Sequence, residues 1–333
     1  MRCFRFLPVL FVLFAAAAWP QTTSSDFIKR GNEYYGKGEY DRAIQDYTQA
    51  IRLNPTEAAG YYNRGNCFYA KKDYDTAIQD YTEAIRLKPS DADAFMERAN
   101  SYDLKGKYDA AMHDYSESIR LNPGNAAAYR ERAVAYRNHG DYDNAIEDDT
   151  RAISLDPKSK TAFKNRADCY KSKKDYDRAI LDYTDAVRLD PSFAKAFAGR
   201  GLSYYNKQNY DQSIQDLTEA LRLDTNAANS SENLVNRGNA YDDKGDHEHA
   251  IQDYTQAIRM DPNYASAYME RGVVYKRLKE FDRAIQDFSE AIRIKPENAR
   301  AYLLRGRAKT EKGDTAAGEI DLAKAKQINP DVK

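Results

Sequence analysis

Apolar and small residues recur along this chain at a helical spacing, in two short stretches separated by a turn. One unit of the pattern comprises Tyr61, Gly65, Phe68, Ala77, Tyr81 and Ala84. Steps of three or four residues place the first three on one face of a helix and the last three on one face of another. Small residues allow the two helices to approach closely, and the large ones fill the space beside them. The pattern predicts a repeating pair of amphipathic helices.

Proline marks the period of this pattern. Eight prolines recur at intervals of 34 residues, apart from one interval of 71 residues between Pro191 and Pro262. That interval contains two periods and three additional residues. With the proline counted as position 32, nine repeats follow one another. They span residues 24–57, 58–91, 92–125, 126–159, 160–193, 194–230, 231–264, 265–298 and 299–332.

The period and its residues resemble the tetratricopeptide repeat (TPR) family, whose 34-residue unit is a helix–turn–helix. Repeat two matches the family pattern at every position from Tyr61 to Pro89. The resemblance implies an all-α fold, an α-solenoid in which helix pairs stack into a right-handed superhelix. It also implies that the first helix of each repeat lines a concave groove, at positions 2, 5, 6, 9, 12 and 13.

Two repeats depart from the pattern. Repeat nine has Lys309, Gly318, Glu319 and Lys326 at packing positions, and a polar outer face is what the last hairpin of a stack requires. We therefore expect repeat nine to be a C-terminal cap. The additional residues lie near 226–231, after repeat six. They either bend the superhelix or lengthen a loop without changing the stacking.

The N-terminus differs from the repeats in its charge and hydropathy. Residues 1–5 carry two arginines and no acid, residues 6–18 are largely apolar, and Ala16-Ala17-Ala18 offers small residues for cleavage. This order is typical of a secretory signal peptide, followed here by a short leader at 19–23. We predict a periplasmic or secreted protein. The alternative is an uncleaved anchor, although the apolar run is shorter than the roughly 20 residues that span a bilayer.

Composition argues against several classes of function. Lys and Arg total 51 and Asp and Glu total 52, so no excess of positive charge favours nucleic acid as a partner. We find no catalytic constellation and predict no enzyme, cofactor or metal site. His247 and His249 lie in an acidic stretch, which we interpret as a solvated turn because their spacing is not one that zinc sites use. Cys67 and Cys169 occupy the same position three repeats apart, too far for a disulfide.

A pair of opposite charges recurs in every repeat. Position 7 is arginine in all nine repeats, from Arg30 to Arg305, and position 23 is aspartate in all nine, from Asp46 to Asp321. Arginine and carboxylate form strong two-pronged hydrogen bonds. We therefore predict a ladder of structural Arg–Asp pairs across the packed helices, rather than eighteen charges for a ligand.

The candidate binding residues are the groove positions, which vary from repeat to repeat. Repeats one to three offer amides and phenols, which can pair with a peptide backbone and provide contact area. Repeats four to six are basic and suit an acidic segment. The candidates are Asn32, Tyr35, Tyr62, Asn66, Tyr69, Asn100, Arg130, Arg137, Lys164, Asn165, Lys171 and Lys195.

These observations lead to two hypotheses for function. The first is an exported adaptor that binds an extended segment of another protein, either acidic or neutral, in the groove. The alternative is an envelope-assembly scaffold that works through its convex face or through self-association. In both, the partner is another protein or peptide, with no nucleic acid and no membrane span in the mature chain.

Overall fold

The computed structural model describes residues 22–224 and 226–332, and the predicted signal peptide lies outside them. Within these residues the chain forms eighteen α-helices in consecutive pairs, and it divides into two compact units at Pro123. The first unit contains α1 (Ser24–Gly36), α2 (Tyr40–Leu53), α3 (Ala58–Ala70), α4 (Tyr74–Leu87), α5 (Ala92–Leu104) and α6 (Tyr108–Leu121). No strand occurs in the described part of the chain, so the all-α prediction is confirmed.

The second unit begins at Gly124 and continues the alternation of helices. It contains α7 (Ala126–Asn138), α8 (Tyr142–Leu155), α9 (Lys160–Ser172), α10 (Tyr176–Leu189), α11 (Ala194–Asn206), α12 (Tyr210–Leu223), α13 (Ala227–Lys244), α14 (His247–Met260), α15 (Ala265–Arg277), α16 (Phe281–Ile294), α17 (Ala299–Lys312) and α18 (Thr315–Ile328). We call the odd-numbered helices inner helices and the even-numbered ones outer helices.

The helix pairs close because a small residue on the inner helix faces an aromatic ring on the outer one. Gly65 lies against Tyr81, and a Cβ atom added at Gly65 would be 2.8 Å from the Tyr81 ring. Gly31 and Tyr47 repeat this contact, with 2.6 Å for an added Cβ. Interiors are packed densely enough that a single methyl group matters here. The small and large residues that alternate in the sequence therefore face each other across one tightly packed interface in each helix pair.

The turn inside each repeat requires one residue in the left-handed region of the backbone. Glycine occupies this place in five repeats, where it adopts a positive φ without steric cost. The other four repeats use Lys72, Lys174, Gln208 and Lys279, with φ between 61° and 64°. The fold thus imposes the same turn on residues that disfavour it.

The inserted residues lengthen a helix rather than a loop. In the other repeats the inner helix begins at position 1 of the repeat, but α13 begins at Ala227, four residues before Ser231, which holds that position. α13 has 18 residues, whereas inner helices such as α11 have 13. The expectation of a longer loop was wrong, because this segment contains no proline or glycine to stop the helix. The insertion adds about one helical turn.

The last helix pair, α17 and α18, packs more closely than its charged sequence suggests. A Cβ atom added at Gly318 would be 2.2 Å from the Thr310 hydroxyl oxygen and 2.8 Å from the Gly306 carbonyl oxygen. Lys309 turns its ammonium to Asp321, at 2.9 Å. The departures from the pattern in repeat nine therefore include a glycine that its own packing requires.

Among the helices at 22–224 and 226–332, none has the length and apolar character to cross a membrane.

Candidate peptide-binding surface

The repeated charges form the predicted ladder. In every repeat the arginine at position 7 donates Nε and Nη2 to both carboxylate oxygens of the aspartate at position 23. The nine pairs are Arg30–Asp46, Arg64–Asp80, Arg98–Asp114, Arg132–Asp148, Arg166–Asp182, Arg200–Asp216, Arg237–Asp253, Arg271–Asp287 and Arg305–Asp321. The distances between donor and acceptor atoms range from 2.6 to 2.9 Å. Two-pronged pairs of this kind hold the inner helix to the outer helix.

The ladder also joins consecutive repeats. The remaining arginine nitrogen, Nη1, donates to a hydroxyl oxygen at position 25 of the preceding repeat. Such bonds are Arg64–Thr48, Arg98–Thr82, Arg166–Thr150, Arg200–Thr184, Arg237–Thr218, Arg271–Thr255 and Arg305–Ser289. Each of these guanidinium groups uses all three of its nitrogens in bonds within the protein, so its charge is already committed to the fold. The structural interpretation of the charges is confirmed.

The candidate asparagines of the first unit have a structural bond that the sequence did not reveal to us. Each accepts a hydrogen bond on its side-chain oxygen from the buried tyrosine at position 24 of its own repeat. The bonds are Tyr47–Asn32 at 2.7 Å, Tyr81–Asn66 at 2.8 Å and Tyr115–Asn100 at 2.6 Å. A buried phenol needs such an acceptor. The side-chain oxygen of each of these asparagines is therefore already used in a hydrogen bond within the fold.

The amide nitrogens of these asparagines differ in what remains available. Asn100 donates its nitrogen to Glu97 at 3.2 Å. The side-chain nitrogens of Asn32 and Asn66 make no hydrogen bond to the described part of the chain. Asn66 in particular is half-buried, with a free donor on an inner helix. Asn32 and Asn66 can therefore donate both amide hydrogens to a ligand, whereas Asn100 keeps one.

A signal in the sequence could have revealed this bond. Positions 9 and 24 vary together: tyrosine at 24 occurs with asparagine or aspartate at 9, including Tyr183–Asp168 at 2.5 Å and Tyr254–Asn239 at 2.8 Å. The other four repeats have no acceptor of this kind at position 9. Their pairs are Val134 with Asp149, Leu202 with Leu217, Val273 with Phe288, and Arg307 with Leu322. Comparing the nine repeats of this one chain thus shows that positions 9 and 24 covary, as an alignment of related proteins would.

The candidate tyrosines of the first unit form contacts with neighbouring rings. Tyr35 and Tyr69 each lie 5.6 Å, centroid to centroid, from the first residue of the following helix, Tyr40 and Tyr74. Tyr62 packs 6.0 Å from the Tyr81 ring, and burial raises the pKa of Tyr62 to about 12. Tyr35 is the most accessible, with 39% of its surface exposed. These rings offer rigid apolar surface beside the amides.

Three of the basic candidates pair with neighbouring acids, and two of them share one carboxylate. Lys164 lies 2.7 Å from Asp168, and Arg137 lies 3.2 Å from the same carboxylate. Arg130 pairs with Glu131 at 3.0 Å. Asn165 is buried and accepts a hydrogen bond from Arg137 at 3.4 Å, so it is part of the groove floor rather than an exposed amide. The basic stretch is therefore less positive than its sequence suggests.

The remaining two basic candidates are unpaired. Neither Lys171 on α9 nor Lys195 on α11 makes an ion pair with the described residues. Both line an open cavity of about 230 Å³ that also includes Lys164 and Asp168. Of all the candidates in the second unit, these two lysines are the cations that a ligand can bind without displacing an internal partner.

Asp149 on α8 was not among the candidates. It is 1% exposed, occupies position 24, and neither of its carboxylate oxygens has a hydrogen-bond partner among the described residues. Burial raises its pKa to about 8, against the opposing effect of the Arg137 and Arg166 guanidinium groups. Val134, the residue at position 9, has no polar group to offer. Repeat four therefore contains a buried acid that is protonated near neutral pH.

The histidines and cysteines have ordinary structural environments. Nδ1 of His247 lies 2.7 Å from Asp242, and Nδ1 of His249 lies 2.8 Å from Asp246. Within the described ranges no group of three or more potential ligands is placed to hold a metal ion. Cys67 and Cys169 are buried and free, and burial raises the pKa of both thiols to about 12.

Comparison with known proteins accounts for nearly the whole chain from residue 28 onward. Models of the tetratricopeptide repeat match residues 28–92, 96–160, 161–193, 194–226, 265–298 and 299–332. A TPR repeat model matches residues 238–279. No curated protein matches the chain.

Solved structures share the fold at low sequence identity. One is a chain of the APC/C hetero-tetramer Cut9–Hcn1, with a TM-score of 0.59 and 18% identity. The match covers 86% of this chain and 56% of that one, so this chain spans little more than half of its length. A tetratricopeptide repeat protein from Parabacteroides merdae has a TM-score of 0.56 and 20% identity, over 75% of this chain and 98% of that one. PilF of Pseudomonas aeruginosa has a TM-score of 0.55 and 22% identity, over 62% and 92%.

Proposed function

The chain belongs to the tetratricopeptide repeat family of protein–protein interaction modules, and we propose that it binds an extended segment of another protein on its inner helices. Members of this family generally act as non-enzymatic scaffolds. The observation that supports the proposal is the contrast between the ladder, whose charges bond to each other, and a few unpaired groups on inner helices. Those groups are the side-chain nitrogens of Asn32 and Asn66 and the ammonium groups of Lys171 and Lys195.

These groups suit an extended peptide with acidic residues. A free amide nitrogen on an inner helix can donate to a peptide carbonyl oxygen, and the Tyr81 bond fixes the Asn66 side chain in place. Unpaired lysines attract carboxylates and increase the rate of encounter. A preorganised side chain also loses less entropy when the ligand binds.

The proposal includes export. The first 18 residues have the order of a signal peptide, which supports a mature chain beginning near residue 19 in the periplasm or outside the cell. Cell fractionation and N-terminal sequencing of the natural protein test this directly. A protein that keeps Met1 and stays with the membrane fraction would identify the segment as an anchor instead.

The binding proposal is tested by capturing partners from an envelope extract, reducing the captured protein to overlapping peptides, and measuring affinity for each. We expect Asn66→Ala, and separately Lys171→Glu with Lys195→Glu, to weaken binding of the best peptide by about tenfold or more. The matched controls are Arg120→Glu and Arg222→Glu on outer helices, where both arginine side chains are exposed.

The opposite pattern would contradict groove binding. If the outer-helix variants lose the partner while the inner-helix variants keep it, the chain works as an assembly scaffold through its convex face, which is the alternative hypothesis.

A further inference from the structure

The additional turn of α13 forms one wall of the cavity that contains the unpaired lysines. Three lysines line the side formed by α9 and α11, namely Lys164, Lys171 and Lys195. The opposite side is lined by Asp224, Asn229, Glu232 and Asn233. Both Asp224 and Asn229 precede Ser231, where the other inner helices would begin. The cavity is therefore a product of the insertion. Its volume of about 230 Å³ is below the roughly 300–1,000 Å³ of sites for drug-sized ligands, and it suits a single side chain.

The charges around this cavity are only partly satisfied by the protein. Asp168 is engaged three times, by Lys164 at 2.7 Å, by Arg137 at 3.2 Å and by the Tyr183 hydroxyl at 2.5 Å. Lys171 and Lys195 have no acidic partner among the described residues. The unsatisfied charge on this side of the cavity is consequently positive, and it is carried by two ammonium groups on neighbouring inner helices.

The opposite wall contains an amide that the fold does not use. Asn233 on α13 is 7% exposed and lines the cavity, and its side chain makes no hydrogen bond with the described residues. Its amide atoms open into the cavity, so a ligand there can hydrogen-bond to them. An amide can donate to one group and accept from another, which is what a peptide backbone requires.

The wall that presents Asn233 is held in a defined position. Asp224 accepts a hydrogen bond from the Asn229 side chain at 2.9 Å and another from the backbone N–H of Asn226 at 2.8 Å. These bonds tie the end of α12 to the first turn of α13. They also occupy the Asp224 carboxylate, so that it competes less with a ligand for the lysines.

We propose that this cavity anchors one acidic side chain, aspartate or glutamate, of the bound segment. Its carboxylate pairs with Lys171 and Lys195, and Asn233 pairs with the adjacent backbone amide. The inference rests on the proposed function, because it concerns the segment that the inner helices bind. It adds that repeat seven, through its lengthened helix α13, makes the protein prefer an acidic residue at one position of the bound segment.

The probe is a blocked pentapeptide, Ac-Ala-Ala-Glu-Ala-Ala-NH2, whose only charge is the glutamate side chain. Binding to the mature full chain is followed by NMR of ¹⁵N-labelled protein. We expect saturable shifts of residues at the cavity, and binding weaker by about tenfold or more for the otherwise identical peptide with Gln in place of Glu. A peptide with neutral side chains and a free C-terminal carboxylate should bind more weakly than the Glu peptide.

Variants of the protein test the proposed contacts of the glutamate side chain with the lysines and Asn233. Asn233→Asp keeps the shape of the side chain and places a carboxylate opposite the lysines, and we expect it to reduce affinity for the Glu peptide about tenfold or more. Lys171→Gln with Lys195→Gln should do the same. Lys158→Gln, an exposed lysine in a loop between repeats, is the matched control and should change nothing.

Three results would overturn the anchor: equal affinity for the Glu and Gln peptides, stronger binding of the free carboxylate end, or no binding of either blocked peptide at about 10 mM. None of these would affect the capture experiment, in which the natural partner tests groove binding itself. Conversely, loss of all partner capture with an intact Glu preference would leave a side-chain site without the proposed function.

Discussion

Position 24 of the repeat is a buried position that different types of side chain occupy in different repeats. Where tyrosine occupies it, the ring fills the interface and its hydroxyl reaches an asparagine or aspartate at position 9, as in Tyr81 and Asn66. In repeat four the same place is occupied by Asp149, which is buried to the same degree but has no hydrogen-bond partner. A buried polar group without a partner costs free energy, and a charged one costs more. Repeat four should therefore be a weak point of the second unit, and its stability should depend on pH.

We predict that Asp149→Asn makes the protein less sensitive to pH. The folded state holds Asp149 with a pKa of about 8, raised from 3.8, so the unfolded chain releases this proton more readily. The free energy of unfolding of the parent therefore falls as pH rises from about 4 to about 8. Between pH 5 and pH 8 the variant should gain about 4 kcal/mol relative to the parent, from about 1.4 kcal/mol per pH unit.

Urea denaturation at both pH values measures this difference. Asp93→Asn serves as the control, since Asp93 is an exposed carboxylate on α5. If the two variants show the same dependence on pH, Asp149 is ionised in the folded protein and our account of repeat four is incorrect.

A second residue-scale prediction concerns the ladder. Arg200→Ala leaves Asp216 buried without its two-pronged partner, and it also removes the bond to Thr184. The arginine side chain is 16% exposed, so the pair is largely withdrawn from water. Breaking such a pair costs about 3–5 kcal/mol, whereas an exposed pair contributes little. Arg222→Ala, which removes an exposed partner of Glu219, should change the denaturation midpoint only slightly. Similar midpoints for both variants would mean that the ladder is not an important source of stability.

At the scale of elements, the two helices of each pair pack closely, but different residues allow this close packing in different repeats. Most pairs bring a ring from the outer helix against a glycine or alanine of the inner one, as Tyr81 against Gly65. In the last pair the glycine is on the outer helix instead: Gly318 lets the α18 backbone pack against Thr310 and the Gly306 carbonyl of α17. α13 differs in another way, because an extra turn projects beyond the others and forms a cavity wall.

Gly318→Ala should destabilise the last helix pair. The added methyl group would lie 2.2 Å from the Thr310 hydroxyl oxygen and 2.8 Å from a backbone oxygen, so the helices must separate. Overpacking of this kind costs about 1–3 kcal/mol. Hydrogen exchange should show faster opening of α17 and α18 while the first unit is unchanged. Gly36→Ala is the matched control: nothing lies within 4 Å of the added Cβ, and we expect no loss of stability. Equal protection of α17 and α18 in both variants would rule out the predicted clash.

At the scale of the whole molecule, stability is distributed over repeats that each bury the apolar face of a neighbour. In the last part of the second unit a cluster that includes Met269, Phe288 and Ile292 is completed by Ala301 and Ala308 of α17. A stack of this kind needs a terminal unit with a polar outer face to remain soluble. We expect repeat nine to be this terminal unit, because it has charged residues where other repeats are apolar.

We predict that removing residues 299–332 makes the protein self-associate. Truncation exposes the cluster at Phe288 and Ile292, and large apolar patches promote association. Size-exclusion chromatography with light scattering should show a larger, concentration-dependent mass for the truncated chain than for the full one. Circular dichroism should still show a helical protein with a lower melting temperature. A truncated chain with the same mass as the full chain would mean that repeat nine is not required as a cap.

Much of the fold could be predicted from the sequence because each repeat depends on short-range periodicity. The helix pairs, the closely packed Gly–Tyr contacts and the Arg–Asp ladder all follow from residues at constant spacing. The candidate site was harder, because whether a groove residue is free depends on which side chains meet when the helices pack, some of them far along the chain. Arg137 and Asn165 had the expected residue types, yet one is paired with Asp168 and the other is buried.

The sequence by itself determined the architecture of this protein. Nine copies of one pattern establish the helix pairs, and the covariation of positions 9 and 24 already contained the Tyr–Asn bond that we had overlooked. The tertiary structure alone decided which charges are satisfied, that Asp149 is buried without a partner, and that the insertion lengthens α13 and turns Asn233 toward the lysines. The physical reason is that periodicity is a local property of the chain, whereas burial and charge pairing arise only when separate helices pack together.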